Sequence, residues 1–372
     1  IAVSPTFGSD QRLILGTTRG IFVSTDAGAT WQDATIEGFD GVQNLTGGFD
    51  HLWFSCASEV DETIYASGVG RSLSKISNDK WVYDWRSSNQ LYASTDGGQT
   101  WAEAGSTIPI ESTVRDLEFI HNPIGPDMCF ISGAPGGICA SSDSGATWEK
   151  RAAGINRSST GGSGISAAVN GERAVFAATL EGVYSLSVEP QTEELIHAHR
   201  SANPPVLAIC PNYPSERVLV VGYGDGAGSG FEDIDGGTAR NSYYDPGLYV
   251  SEDGGSVWTK AIDVGTVLDV VFSPDFATDR TAYAATSSGL YRTTDACSSW
   301  QLCDPVATLR FLDASAEGCV AAATYDSFRV SGDGGTTWSS IAMPGEQDIL
   351  SMAITFYRFS GGIAYVGTSV WN

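Results

Sequence analysis

Three features of the chain predict an all-β fold, a β-propeller of four-stranded antiparallel blades. A short motif, Ser/Thr-x-Asp-x-Gly-x-Thr-Trp, recurs six times; its copies lie one or two units of about 40–50 residues apart; and 44 glycines punctuate short strand-like runs with no long helical pattern. Four copies are intact: Ser24 to Trp31, Ser94 to Trp101, Ser141 to Trp148 and Ser331 to Trp338. Two are worn, Ser251 to Trp258 with Val257 for Thr, and Thr293 to Trp300 with Cys297 for Gly and Ser299 for Thr.

The motif aspartates are Asp26, Asp96, Asp143, Asp253, Asp295 and Asp333, with gaps of 70, 47, 110, 42 and 38. The longest gap suits two units, and Gly182-Val183-Tyr184-Ser185-Leu186-Ser187-Val188 is a decayed copy with Val188 at the Asp position. The gap of 70 is one unit carrying an insertion. Upstream of a motif the chain turns a Ser-Pro corner, as at Ser4-Pro5 and Ser273-Pro274, and re-enters through a small-residue strand such as Ala282-Tyr283-Ala284-Ala285-Thr286.

First strands are expected near Ile1, His51, Val114, Gly164, Val206, Val267, Thr308 and Ile349. That makes seven full blades and a partial eighth, whose two strands are followed by Val370-Trp371-Asn372. A truncated C-terminus is the expectation, because an open half-blade leaves unpaired edges. Length alone suggests two or three domains of about 150 residues, but the repeats read residues 1–372 as a single propeller.

The repeated residues resemble the Asp box, the bacterial-neuraminidase (BNR) repeat of sialidases, xyloglucanase-type glycosidases, sortilin-like receptors and photosystem II assembly factors. The resemblance covers nearly the whole chain. It implies the fold and no single activity, since those families share little chemistry. The residues themselves agree. An Asp opening a tight turn accepts from backbone N–H groups a few residues on, Gly takes the positive-φ position, and Trp packs between turns. The six aspartates are therefore read as structural.

Charge narrows the partners. Forty-four acidic residues against 20 basic ones give −24, and only four of the 20 are lysine. Such a surface repels nucleic acid and anionic lipid. It also disfavours a photosystem assembly role that needs a basic patch. No apolar run reaches the roughly 20 residues of a membrane helix.

Function is expected on loops opposite the motif turns. Two insertions stand out, near residues 68–89 and 222–246. The first carries Trp81, Tyr83 and Trp85, which could stack on a sugar or close a hydrophobic flap; the second carries Arg240, Tyr243 and Tyr244. Within the second, Asp233-Ile234-Asp235-Gly236-Gly237 resembles half a calcium loop but lacks the downstream bidentate Glu, so a solvated acidic loop is favoured over Ca²⁺. No other cofactor is indicated.

Aligned first strands put Asp116, Asp269, Arg310 and Ser351 in register. Two carboxylates and a guanidinium suit hydrolysis or a polar ligand, though such residues also line inert propeller channels. The Phe/Tyr-Arg-Ile/Leu-Pro segment of sialidases is approached only by Tyr357-Arg358-Phe359-Ser360, which departs at both final positions. His197-x-His199 has a metal-like spacing, but alternate strand residues are more often simply exposed.

Seven cysteines leave at least one unpaired. Cys129 with Cys139 and Cys297 with Cys303 are candidate local disulfides, with buried thiols as the alternative. Asn44-Leu45-Thr46 and Asn156-Arg157-Ser158 are glycosylation sequons. Acidity, scarce lysine and family resemblance together point to a secreted glycoprotein. The reading is a non-catalytic module binding a glycan or another extracellular protein; the alternative is a glycoside hydrolase using front-face carboxylates.

Overall fold

Short runs rich in β-branched and aromatic residues, each closed by glycine or a Ser-Asp turn, form strands of two to nine residues. In the computed structural model the described residues are 1–17, 20–37, 49–55, 62–70, 73–76, 80–83, 88–104, 108, 113–120, 127–134, 137–151, 164–168, 174–187, 192–199, 201, 205–213, 215–224, 245–306, 309, 311–315, 318–324, 327–341, 349–357 and 361–368. The fold is a β-propeller with seven four-stranded antiparallel blades, and the chain divides into compact units 1–162 and 163–372.

The first unit holds three blades. Blade 1 is β1 (Ala2–Val3), β2 (Leu13–Thr17), β3 (Gly20–Ser24) and β4 (Gln32–Asp33). The next strand, β5 (Thr35–Ile36), leaves that blade and pairs in parallel with the outer strand of blade 2. Blade 2 is β6 (Phe49–Phe54), β7 (Ile64–Gly70), β10 (Ser88–Ser94) and β11 (Thr100–Glu103). Its insertion is a separate hairpin of β8 (Leu73–Ile76) and β9 (Lys80–Tyr83). Blade 3 is β12 (Thr113–Ile120), β13 (Met128–Ala134), β14 (Gly137–Ser141) and β15 (Glu149–Arg151).

The second unit holds four blades. They are β16 (Gly164–Ala168) to β19 (Thr192–Ala198) through β17 (Ala174–Thr179) and β18 (Gly182–Ser187), then β20 (Val206–Ile209), β21 (Leu219–Tyr223), β22 (Gly247–Ser251) and β23 (Thr259–Ile262). Next come β24 (Val267–Phe272), β25 (Ala282–Thr286), β26 (Gly289–Thr293) and β27 (Gln301–Asp304). Blade 7 is β28 (Phe311–Ala314), β29 (Val320–Ala323), β30 (Phe328–Ser331) and β31 (Ser339–Ile341), followed by the pair β32 (Ile349–Tyr357) and β33 (Gly361–Thr368). Within this unit the first strands β16, β20, β24, β28 and β32 touch in sequence. The decayed copy thus forms a complete blade, although Val188 itself lies outside the described residues.

The Ser-Pro corners wind into single helical turns, α1 (Phe7–Asp10) and α2 (Phe276–Asp279). Asp10 accepts from Ser4 Oγ at 2.7 Å and Arg12 N at 3.0 Å; Asp279 accepts from Ser273 Oγ at 2.6 Å and Thr281 N at 2.9 Å. The a–b corner also meets the motif turn directly, as Ala27 N donates to Gln11 O and Ala296 N to Arg280 O. Motif turns and a–b corners therefore share one side of a blade, and b–c insertions open on the other.

Successive blades are latched by tyrosine. Tyr65 of β7 donates to Ser144 O at 2.7 Å in the turn of blade 3, and the equivalent Tyr283 of β25 donates to Gly334 O at 3.1 Å in that of blade 7. Ile14 holds the same position in blade 1, opposite Val23 as Tyr65 is opposite Ala93.

Both expected disulfides are corrected, because Cys129, Cys139, Cys297 and Cys303 are free thiols. Cys129 lies opposite Ser141 and Cys139 opposite Ile131, two positions out of register. That diagonal spans about 7–8 Å, too far for a bridge without backbone movement. Cys297 packs with Cys210 and Phe276, whereas Cys303 packs with Tyr283 and Leu309 in a different apolar cluster. Burial pushes the Cys139 thiol up to about 12 and Cys303 to about 11.

Candidate functional site

The motif carboxylates are occupied within their own turns. Asp26 Oδ1 accepts from Ser24 Oγ and Thr30 N, both at 2.8 Å, and its Oδ2 accepts from Thr30 Oγ1 at 2.5 Å. Asp96, Asp143, Asp295 and Asp333 repeat this arrangement, with Ser299 serving in place of Thr at Asp295. At Asp253, Val257 supplies the backbone N–H at 2.9 Å and has no hydroxyl to offer. These bonds hold all six carboxyls below their usual range, and the Thr337 hydroxyl leads in drawing Asp333 down to about 2. Each turn places two successive residues at positive φ, such as Gly97 at 72° and Gly98 at 93°; Cys297, standing for the motif glycine, is held at 72°.

The first-strand candidates share register through a repeated β-bulge. The ladder shifts between Val114 and Asp116, Val267 and Asp269, and Ile349 and Ser351, and again between Phe49 and His51. Asp116 Oδ1 accepts from Leu117 N at 3.0 Å. Asp269 uses both oxygens, Oδ1 for Val270 N at 2.8 Å and Oδ2 for Leu312 N of β28 at 2.8 Å, tying two blades together. Burial raises Asp269 to about 6 against those two bonds. Burial, then the neighbouring Asp116, likewise lifts Glu118 well above its ordinary value. Asp116 lies in the first unit and Asp269 in the second; Arg310 lies outside the described residues.

Trp85, Arg240, Tyr243, Tyr244, Asp233, Asp235, Asn44 and Asn156 also fall outside the described residues. Trp81 and Tyr83 stand on β9 at register positions opposite Lys75 and Leu73. Among the described residues no group of three or more His, Cys, Asp or Glu side chains could hold a metal ion. In the first unit a cavity of about 510 Å³ lies along β5 and β11, lined by Ile36, Glu37, Trp101 and Glu103 among others.

The richest cluster stands at the foot of the second insertion, where β21 ends and β22 begins. The His199 ring stacks on Tyr223 with centroids 3.9 Å apart and planes 11° apart. His197 lies 5.6 Å from His199 and 4.9 Å from the motif ring Trp258, and Tyr249 meets His199 edge-on at 5.0 Å. A polar chain runs out of this platform: Tyr249 OH donates to Asp245 Oδ2 at 2.6 Å and lies 3.3 Å from His199 Nε2. Lys260 Nζ then bridges Asp245 Oδ1 at 2.5 Å and Asp263 Oδ1 at 2.7 Å. Ser201 Oγ receives Gly224 N at 3.2 Å and pins the start of the insertion.

The electrostatics fit a rigid support. Lys260, then Tyr249, lower Asp245 by hydrogen bonding to its charged form. Burial raises both phenols, with Asp245 adding at Tyr249 and Tyr249 adding at Tyr223, so neither is primed as a nucleophile. Burial, then His199, pushes His197 down to about 4 and keeps it neutral. Tyr223 is 0% exposed. Its hydroxyl and His197 Nε2 have no hydrogen-bond partner among the described residues. The His197-x-His199 spacing was the visible sign of this site. Tyr223 and Tyr249 carry no signal of it in the sequence, where they read as ordinary strand aromatics.

Fold and turn chemistry together define a β-propeller of the Asp-box, or BNR-repeat, type. The family model described as the BNR/Asp-box repeat matches residues 92–103, which span the turn of blade 2. Among solved structures the chain is similar to YCF48 from Cyanidioschyzon merolae, with 12% identity, TM-score 0.52, and coverage of 87% of this chain and 94% of that one. It is also similar to Saccharomyces cerevisiae Sqt1, at 11% identity and TM-score 0.51 over 90% and 82% of the two chains. No curated protein matches in sequence. At these identities the likeness concerns the fold. Among the described residues no helix is long and apolar enough to cross a membrane.

Proposed function

We propose that the chain is an extracellular, non-catalytic propeller, single over residues 1–372, whose insertion-bearing side binds a glycan or protein partner. The observation that carries this reading is the platform of His197, His199, Tyr223, Tyr249 and Trp258 at the foot of the second insertion, two of whose buried polar atoms have no partner among the described residues. Tyr223 is wholly buried and His197 and His199 are half-buried, so the rings act by fixing the foot of the insertion and not by touching the partner. The raised phenols support binding over proton transfer.

The test is a glycan array on the intact chain, with hydrolysis assays on each hit. Binding without turnover is expected, and Tyr223→Phe, which removes a wholly buried hydroxyl with no partner among the described residues, should leave affinity unchanged and the free protein as stable or slightly more so. His199→Ala, which removes the ring stacked on Tyr223, should weaken binding about tenfold. Unchanged affinity in His199→Ala would remove the platform from recognition. A glycoside hydrolase is the second reading, favoured by the burial that raises Asp269 to about 6, the range of a general acid. Turnover abolished by Asp116→Asn or Asp269→Asn would establish it.

A further inference from the structure

His199 and Ser201, which follow the outer strand of blade 4, hold both ends of the second insertion of blade 5. At its near end Ser201 Oγ receives Gly224 N at 3.2 Å, and the Tyr223 ring just before Gly224 stacks on His199. At its far end Asp245 is joined to His199 through Tyr249 OH, which stands 2.6 Å from Asp245 Oδ2 and 3.3 Å from His199 Nε2. The two holding residues are anchored in their own blade, His199 N donating to Glu181 O and Ser201 N to Leu180 O, both at 3.0 Å. One blade thus brackets residues 225–244 of the next.

The chain at the far end has a direction. A phenol has one proton to give, and Asp245 takes it. His199 Nε2 therefore meets the hydroxyl oxygen as a donor, and a proton added in acid enters the ring at Nδ1. The charged ring is the stronger donor along the same path, from Nε2–H to the phenol and from the phenol to the carboxylate.

The groups facing that charge are mixed in sign. The Asp245 carboxylate attracts it, and Tyr223 offers the face of its ring. His197 lies 5.6 Å away, and burial, then His199, keeps it neutral above about pH 4, so the pair takes up one charge. Lys260 repels it, but two carboxylates, Asp245 and Asp263, share that ammonium. On the side of its own blade the adjoining turn carries Glu181. Lys260 and Tyr249 lead in lowering Asp245, and the His199 ring adds to them.

We propose that His199 and Ser201 form an acid-tightened clamp on the second insertion. A proton on His199 strengthens the hold on the far end while Ser201 keeps the near end. The insertion is then held more firmly at mildly acidic than at neutral pH, and, resting on the binding reading given above, so is the partner. The gain appears as pH falls through the ordinary histidine range, about 6–7. It is lost below about pH 4, where His197 takes a second charge beside it and Asp245 then gives up its own.

The proton itself is the probe. In the full chain with labelled histidines, the His199 ring is titrated by NMR from about pH 8 to 4.5. Amide exchange, corrected for its intrinsic rate, is read at Gly224 and Gly247 at about pH 7.5 and 5.5, with Val220 of β21 as the reference. Protection at both glycines is expected to rise about threefold or more at the lower pH. Tyr249→Phe, which keeps the ring and breaks the chain of donors, is expected to abolish the rise. Asp245→Asn is expected to lower the His199 midpoint by about 0.5 pH or more. Thermal midpoints at neutral pH report that each variant is folded. A ring stack acting only as packing would give neither response. Flat protection, a rise that survives Tyr249→Phe, or a His199 midpoint unmoved by Asp245→Asn would each overturn the clamp. So would a glycan hit that weakens in His199→Ala yet binds equally at both pH values. Protection that responds as stated while the array yields no hit supports the clamp and removes the binding reading alone.

Discussion

Replacing Tyr65 by Phe isolates the interblade latch, because the ring is kept and only the hydroxyl goes. Tyr65 is 2% exposed and its hydroxyl bonds Ser144 O at 2.7 Å. A neutral hydrogen bond contributes about 1 kcal/mol net, and stranding a buried acceptor costs about 1–3 kcal/mol. Ser144 is an exposed turn residue, so water reaches its carbonyl and the lower end applies. Ile14, at the same position in blade 1, shows that the site accepts a side chain without a hydroxyl. Tyr65→Phe is therefore expected to lose about 1–1.5 kcal/mol, and Tyr283→Phe, with its 3.1 Å bond, about 1 kcal/mol. The pair shares no partner, so the double variant should lose the sum. Urea unfolding followed by tryptophan fluorescence reads this as a shift in midpoint at constant m-value. If units 1–162 and 163–372 unfold separately, each substitution moves only its own transition. A Tyr65→Phe protein within about 0.3 kcal/mol of the parent would refute the latch.

Four further outcomes follow from the same geometry. The motif carboxyls sit below their unfolded values, so the stability they contribute is present above about pH 4 and is lost as pH falls through their folded values, the lowest near 2 at Asp333; replacing Asp333 by Asn should therefore change the thermal midpoint's dependence on pH only below about pH 4. His197 is depressed to about 4, so its contribution is lost as pH drops from about 6.5 toward 4; an NMR titration placing its ring near 6.5 would contradict the packed cluster. Asp269 has the opposite sign: its folded value near 6 means that stability present below about pH 3.8 is lost as pH rises through 6, and Asp269→Asn should remove that dependence while weakening the tie to Leu312 by about 1 kcal/mol. Gly98→Ala should destabilise by about 1–2 kcal/mol or more, since φ is +93° and the new Cβ would stand 2.6 Å from Ile14 Cδ1; an unchanged midpoint would show that the turn yields.

Much of the fold was legible because its cause is local. A Ser-x-Asp-x-Gly-x-Thr turn closes on hydrogen bonds among residues at most four apart, as Ser24, Asp26, Gly28 and Thr30 do. Repetition then sets strand count and blade order, and the expected first strand near Val114 is observed from Thr113. Even the register of Asp116 with Asp269 survives, because each follows the same bulge. The cysteine pairs misled for a complementary reason: closeness in sequence across a turn says nothing about which face of a sheet, or which diagonal, each thiol occupies.

The sequence by itself determined the kind of protein this is, since blade, turn and acidic surface all follow from short-range pattern and composition. Only the tertiary structure decided what individual side chains are for. It placed Asp269 as a tie between β24 and β28, and it gathered His197, His199, Tyr223, Tyr249 and Asp245 from three strands and two loops around one foot. Those partners are separated by up to 52 residues. No local periodicity encodes such a meeting, because it depends on how one blade's outer strand lies against the next blade's face.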